Sequence, residues 1–195
     1  MIKQSFLGVV AVAAAAIVLG ITGNTQSAKA DTTTHATVTF TLPEDSKIEI
    51  TSMPNIDFGS EQVNTSGQDI QAKNIDAPLS IDNPGFATGW HVDVAASNFT
   101  TSDKSVSLAG AAIKFTNGSV KATAAGNVST VPTVQPTTVQ AGSDSQTLVN
   151  AAAGTGVGAY DTSFANTEVS LDIPSGNVAA DYTSDLTWTL ANTPM

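Results

Sequence analysis

Asp185-Leu186-Thr187-Trp188-Thr189-Leu190 alternates strictly between apolar and polar residues. Successive side chains of an extended chain point to opposite faces, so Leu186, Trp188 and Leu190 share one face and Thr187 and Thr189 the other. The stretch predicts a half-buried strand. It carries one of only two tryptophans. The other opens a similar frame, with Trp90, Val92 and Val94 on one face and His91 and Asp93 on the other. These two Trp-led strands organise the reading of the rest.

Working outward, the same alternation recurs. Residues 36–42 (Ala-Thr-Val-Thr-Phe-Thr-Leu) place Val38, Phe40 and Leu42 on one face and predict a strand. Strands are also expected over 47–51, 56–59, 79–82, 105–108, 111–116, 146–151, 160–166 and 169–173. Asn83-Pro84-Gly85 reads as a turn before the first Trp strand. Asn117-Gly118 is the strongest hairpin signal, with 119–124 as the returning strand. Residues 60–74 are polar and read as a long loop with a short strand around Val63. Between 125 and 158 the composition shifts to Val, Thr, Ala, Gly and Pro, and Pro132 and Pro136 argue against a central strand. Gly154-Thr155-Gly156-Val157-Gly158 reads as a flexible connector, and Tyr182 is expected to open the last strand. About ten short strands with frequent turn signals predict an all-β fold, a single β-sandwich or barrel-like domain.

The N-terminus stands apart from that fold. Lys3 precedes an apolar run over residues 6–21, and Ala28-Lys29-Ala30 supplies a small-x-small cleavage site. Together they predict a signal peptide over 1–30, removed after Ala30. The apolar run is short against the ~20 residues of a membrane span. The mature chain is then 31–195, which suits one domain. There is no cysteine, so export is expected without disulfides, as from a bacterium.

Every basic residue is a lysine. Removing Lys3 and Lys29 with the signal leaves five lysines against 17 acidic residues, a formal charge of −12. Binding nucleic acid needs clustered Lys or Arg, so that partner is excluded. Simple electrostatic docking on anionic lipids or wall polymers is disfavoured for the same reason. A ligand of this chain is held by shape, stacking and hydrogen bonds.

No catalytic constellation stands out. His35 lies in a polar leader, and His91 reads as a strand residue opposite Trp90 without a nucleophile motif beside it. Glu168 and Asp172 read as solvated strand-face charges rather than a glycosidase pair. The glycines between 154 and 158 lack the spacing and following helix of a phosphate cradle. Glu44-Asp45 reads as a plain turn. No metal-ligand spacing or cofactor motif is present, and no enzyme activity is expected.

Core packing is the expected role for much of the Trp188 ring, which lies between Leu186 and Leu190 on its face. A sugar-stacking platform is the alternative, since an indole face suits a pyranose and its N–H donates a hydrogen bond. Trp90 has only Gly89 and the shorter Val92 and Val94 around it. Its ring is expected to be partly exposed and to serve binding more than folding.

The arrangement resembles the WxL-domain family, secreted cell-surface proteins of low-GC Gram-positive bacteria, named for one mid-domain and one C-terminal Trp-x-Leu motif. The terminal motif is Trp188-Thr189-Leu190, preceded by Tyr182 and followed by Pro194. The mid-domain motif is Trp90-His91-Val92, with Val in place of Leu. Asp82-Asn83-Pro84-Gly85 stands where similar proteins have Asp-x-Arg-Gly. Further matching features are Asp57-Phe58-Gly59, Leu108-Ala109-Gly110-Ala111 and Leu171-Asp172-Ile173-Pro174. The resemblance covers essentially all of 31–195.

It implies non-covalent attachment to the cell wall, with peptidoglycan or cell-wall glycan as ligand and Trp90, His91, Val92, Trp188, Thr189 and Leu190 as candidate wall-binding residues. It also implies a surface complex with a membrane-anchored WxL-interacting protein and other WxL proteins. The chain shows no sorting signal, C-terminal apolar tail or lipidated cysteine, so non-covalent retention is expected from the residues as well. A second reading is a structural subunit of a surface assembly, held mainly by protein partners through strand addition or edge packing.

Overall fold

The computed structural model describes residues 33–195. The signal peptide expected over 1–30 and the mature start at Asp31 lie outside them. The chain divides after Thr39, and every strand described lies in Phe40–Met195.

β6 (Trp90–Ala96) shows how alternation becomes layering. Trp90, Val92, Val94 and Ala96 are buried, and His91, Asp93 and Ala95 are half-buried on the other face. Its neighbours repeat the pattern from both sides. β14 (Leu186–Ala191) pairs antiparallel with it, setting Leu186, Trp188 and Leu190 against Ala96, Val94 and Val92. β11 (Gln146–Ala151) pairs along its other edge, with a bulge between Thr147 and Val149. β9 (Thr133–Val134) completes a four-stranded sheet in the order β14-β6-β11-β9. The two Trp-led segments, far apart in sequence, are therefore neighbours.

A second sheet has the order β10-β7-β13-β3, from β10 (Thr137–Gln140), β7 (Ala112–Phe115), β13 (Val169–Ile173) and β3 (Gln68–Gln71). A third runs β1-β5-β12-β8, from β1 (Glu49–Ser52), β5 (Leu79–Asn83), β12 (Gly158–Ser163) and β8 (Ser119–Ala122). β2 (Ile56–Asp57) and β4 (Asn74–Ile75) form a small ladder of their own. The only described helix is one 3-10 turn at Asn166–Glu168. The domain is all-β, as the alternation predicted, and no sheet closes into a barrel among the described residues.

Phe115 ties the layers together. Its ring meets Phe164, just past β12, at 5.4 Å, and Trp188 of β14 at 6.4 Å, both edge to face. Edge-to-face pairs add about 0.5–1.5 kcal/mol beyond the area they bury.

Several local expectations differ. Residues 36–42 form no strand, and Val38 and Phe40 are 76% and 91% exposed. Around 105–108 only Ser107 makes a bridge, to Thr100. Residues 60–74 contain β3 and the start of β4. Asn117-Gly118 makes no hairpin: β7 and β8 on either side belong to different sheets, so the segment is a crossover. Gly118 sits against the Phe164 ring, where a Cβ would lie 2.8 Å from it, and close packing is what its lack of a side chain serves. Pro132 and Pro136 flank β9 and β10, both edge strands, as prolines without a donor N–H require.

Candidate functional site

The pairing of β6 with β14 sends four of the six candidate wall-binding residues to one face and two to the other. Trp90, Val92, Trp188 and Leu190 point inward; His91 and Thr189 point outward. The two tryptophans then exchange the roles expected of them. Trp90 is completely buried, at 0% exposure, and Trp188 is only half-buried. The cause is strand position. β6 is flanked on both sides, so its inward residues are covered from every direction; β14 is an edge strand. The flanking residues in sequence carry no record of which strand is central.

The Trp90 ring is also hydrogen-bonded. Its Nε1–H donates to the Gly156 carbonyl at 3.0 Å. Asn83 Nδ2 donates to the same carbonyl at 2.9 Å and to Phe86 O at 2.9 Å. Asn83 Oδ1 accepts from the Gly85 and Phe86 amides at 3.1 and 2.7 Å. This fully buried asparagine thus uses all its capacity, which is how a buried polar group avoids a desolvation cost. Gly156 has φ +66°, and a Cβ there would lie 2.6 Å from Ala151 Cβ and 2.8 Å from Trp90 Nε1. The stretch read as a flexible connector is therefore a pinned cap over the first tryptophan. Asn83 was legible only as a turn residue; its place before Pro-Gly marks an Asx turn but not its burial.

On the outer face, His91 Nδ1–H donates to Thr193 O at 2.6 Å, and Asn150 Oδ1 accepts from the Met195 amide at 3.2 Å. Thr147 Oγ1 donates to Asp93, and Asp93 lies opposite Thr189. Side-chain bonds thus tie down the segment after Leu190, and Thr189 stays exposed.

A groove of about 750 Å³ runs along the inner side of the β13–β3 edge. Ile113, Leu171 and Leu186, from two different sheets, line it, and Phe58, Phe99 and Tyr182 supply aromatic surface. Asp57, Glu61 and Asp181 bring carboxylates to its lining. Its sides are pinned. Asp57 Oδ1 accepts from the Gly59 amide at 2.8 Å, and Lys73 pairs with Glu61 at 3.0 Å. Tyr182 donates to Val178 O at 2.9 Å. Asn177 accepts from the Ala109 amide at 2.8 Å and donates to Pro174 O at 2.9 Å.

Segments that stood out separately in the sequence meet here: Asp57-Phe58-Gly59, Leu108, then Leu171, Ile173 and Pro174, and finally Tyr182 and Leu186. On the opposite face of the second sheet, Lys114 bridges Asp69 at 3.0 Å and Asp172 at 2.9 Å. A hydrogen bond from Ser170, followed by Lys114, holds the Asp69 carboxyl below its usual range, and the two carboxylates hold Lys114 above its own. Asp172 is thus an ion-paired strand-face charge.

A sequence model of the WxL domain, described as surface cell wall-binding, matches residues 39–194. No curated protein and no solved structure matches the chain.

Proposed function

This chain belongs to the WxL family of surface cell wall-binding domains, and from that premise we propose that it is exported, matures at Asp31, and attaches non-covalently by holding peptidoglycan in the groove between β3, β13 and the segment around Tyr182. Cell-wall association is the property of the family, which is a binding family and not an enzymatic one. The observation that carries the proposal is the convergence of residues 57–59, Leu108, Leu171, Ile173, Pro174 and Tyr182 on one groove. A ligand groove combines apolar surface with a few placed polar groups. Phe58 and Tyr182 offer faces for the apolar side of a sugar, and the lining carboxylates accept from hydroxyl and amide donors.

In this reading the motif residues divide their work. Trp90 and Val92 serve binding indirectly, by fixing the sheet that carries Leu186. Trp188 and Leu190 offer partial surface at the domain edge, and His91 and Thr189 offer polar contacts on the outer face. We also propose that the protein joins a surface complex with a membrane-anchored WxL-interacting protein and other WxL proteins.

The test is sedimentation with purified, protein-free walls. Asp181→Lys changes an exposed lining residue and leaves the core intact; Tyr182→Ala removes an aromatic face, with stability measured alongside. Both are expected to release the protein from the wall. If both variants fold and sediment like the parent, the groove does not hold the wall. N-terminal sequencing of the exported protein checks the start at Asp31.

A second reading, a structural subunit held by protein partners, is favoured by one observation: the edge of β14 is long and carries no charged residue.

A further inference from the structure

Edge strands offer unpaired N–H and C=O groups to other chains, and proteins normally blunt them with charge, proline, bulges or short length. The edges here follow that rule, with one exception. β1 has Glu49 and a bulge, β3 has Asp69, and β8 has Lys121. β10 is four residues long behind Pro136, and β9 has only two residues. β14 is the longest edge strand of the three four-stranded sheets, at six residues. Leu186-Thr187-Trp188-Thr189-Leu190-Ala191 contains no charge and no proline. Among the described residues its backbone bonds to β6 and to no other segment.

The chain also carries a segment with the pattern of a strand that pairs with nothing among the described residues. Residues 36–42, Ala-Thr-Val-Thr-Phe-Thr-Leu, have strand alternation and strand composition, contain no charge, and form no ladder. Val38 and Phe40 are 76% and 91% exposed. The segment matches the open edge on both faces. Its Val38, Phe40 and Leu42 would continue the inner row of Leu186, Trp188 and Leu190. Its Thr37, Thr39 and Thr41 would continue the outer row of Thr187 and Thr189. Aromatic, β-branched and Thr–Thr neighbours of this kind are favourable across strands.

We propose that residues 36–42 of one copy add as a strand to the free edge of β14 in a second copy. Neither segment carries a charge, so pairing them sets no like charges directly opposite each other. Donor and acceptor are different surfaces, so the contact is heterologous and propagates head to tail unless two copies exchange segments reciprocally. The proposal does not rest on the groove as the wall site: the donor segment 36–42 does not line the groove, although Leu186 of the acceptor edge does.

The test uses the protein as recovered from cells. Sedimentation velocity across a concentration series is run on the parent and on a Val38→Asp/Phe40→Asp variant, whose substitutions fall on exposed side chains. Hydrogen exchange is followed in both. The parent is expected to associate with concentration, gaining protection at 36–42 and 186–191 together. The variant is expected to need at least about tenfold higher concentration for the same association, a difference of one decade in Kd. A peptide of residues 35–43 added to the variant should protect 186–191; the same peptide with Pro for Phe40 should not. The proposal is overturned if the parent stays monomeric at all concentrations, if the variant associates as the parent does, or if the peptide leaves 186–191 unprotected. A monomer in which 36–42 is already protected also overturns it, since the segment would then be paired within its own chain. Wall sedimentation of the variant is expected to match the parent, which separates a failure here from a failure of the groove.

Discussion

Replacing Trp90 by alanine should cost far more stability than replacing Trp188. Trp90 is wholly buried on a central strand. A buried Trp covers up to about 250 Å², which at about 25 cal/mol per Å² corresponds to roughly 6 kcal/mol for the whole side chain. Truncations of buried Phe or Trp to Ala cost about 3–5 kcal/mol, since the site relaxes only in part. The lost indole N–H adds little, because the Gly156 carbonyl keeps its bond from Asn83. Trp188 is half-buried on an edge strand, where neighbours and water can fill the gap, so about 1–2 kcal/mol is expected.

For a domain of this size each kcal/mol moves Tm by about 2–4 °C, so Trp90→Ala should lower Tm by roughly 6–20 °C and Trp188→Ala by roughly 2–8 °C. Urea unfolding followed by dichroism and by the one remaining tryptophan gives both midpoints. An equal or larger loss for Trp188→Ala would refute the argument that strand position, not sequence neighbours, decides burial.

Gly156→Ala should destabilise by about 1–3 kcal/mol through overpacking, because its Cβ would meet Ala151 and the Trp90 indole at a backbone angle alanine disfavours; thermal unfolding checks it, and unchanged stability would mean the cap is not tightly packed. The Asp103 carboxyl is held at about 2 by hydrogen bonds, first from Thr101 and then from the Ser105 amide and hydroxyl. Its folded value lies below the ordinary carboxylate one, so its contribution to stability is present above about 4 and lost as pH falls through about 2. A carboxyl-carbon NMR titration should show that low midpoint, and Thr101→Val should raise it. Wall binding should survive removal of anionic wall polymers and weaken little with salt, since the acidic chain gains no attraction that screening could remove; sedimentation that collapses between low and moderate salt would contradict this.

Much of the fold was legible because alternation is local. The period-two pattern located β6, β7, β13 and β14 and gave β6 and β14 their two faces; β11 was expected over 146–151, but its bulge leaves Leu148 and Val149 both buried. The segments lining the groove were each visible as short features, though not as one place. What failed had a common cause. Residues 36–42 have the pattern of a strand but no partner in the described chain, so pattern alone did not make a ladder. Asn117-Gly118 has hairpin chemistry, yet Phe115 and Val120 are claimed by different sheets. The glycines at 154–158 looked loose because the Trp90 and Asn83 donors that pin them lie more than 60 residues away in sequence.

The sequence by itself determined that the domain after the expected signal is all-β, that Trp90 shares a face with Val92 and Trp188 with Leu190, and that no cluster of basic charge is available to bind polyanions. These follow from side-chain period and composition, which each residue carries with it. Only the tertiary structure decided that β6 is central and β14 an edge. From that follow the burial of Trp90, the partial exposure of Trp188 and an open strand beside a groove. Burial is set by what covers a strand on both sides, and those neighbours come from parts of the chain that local sequence does not specify.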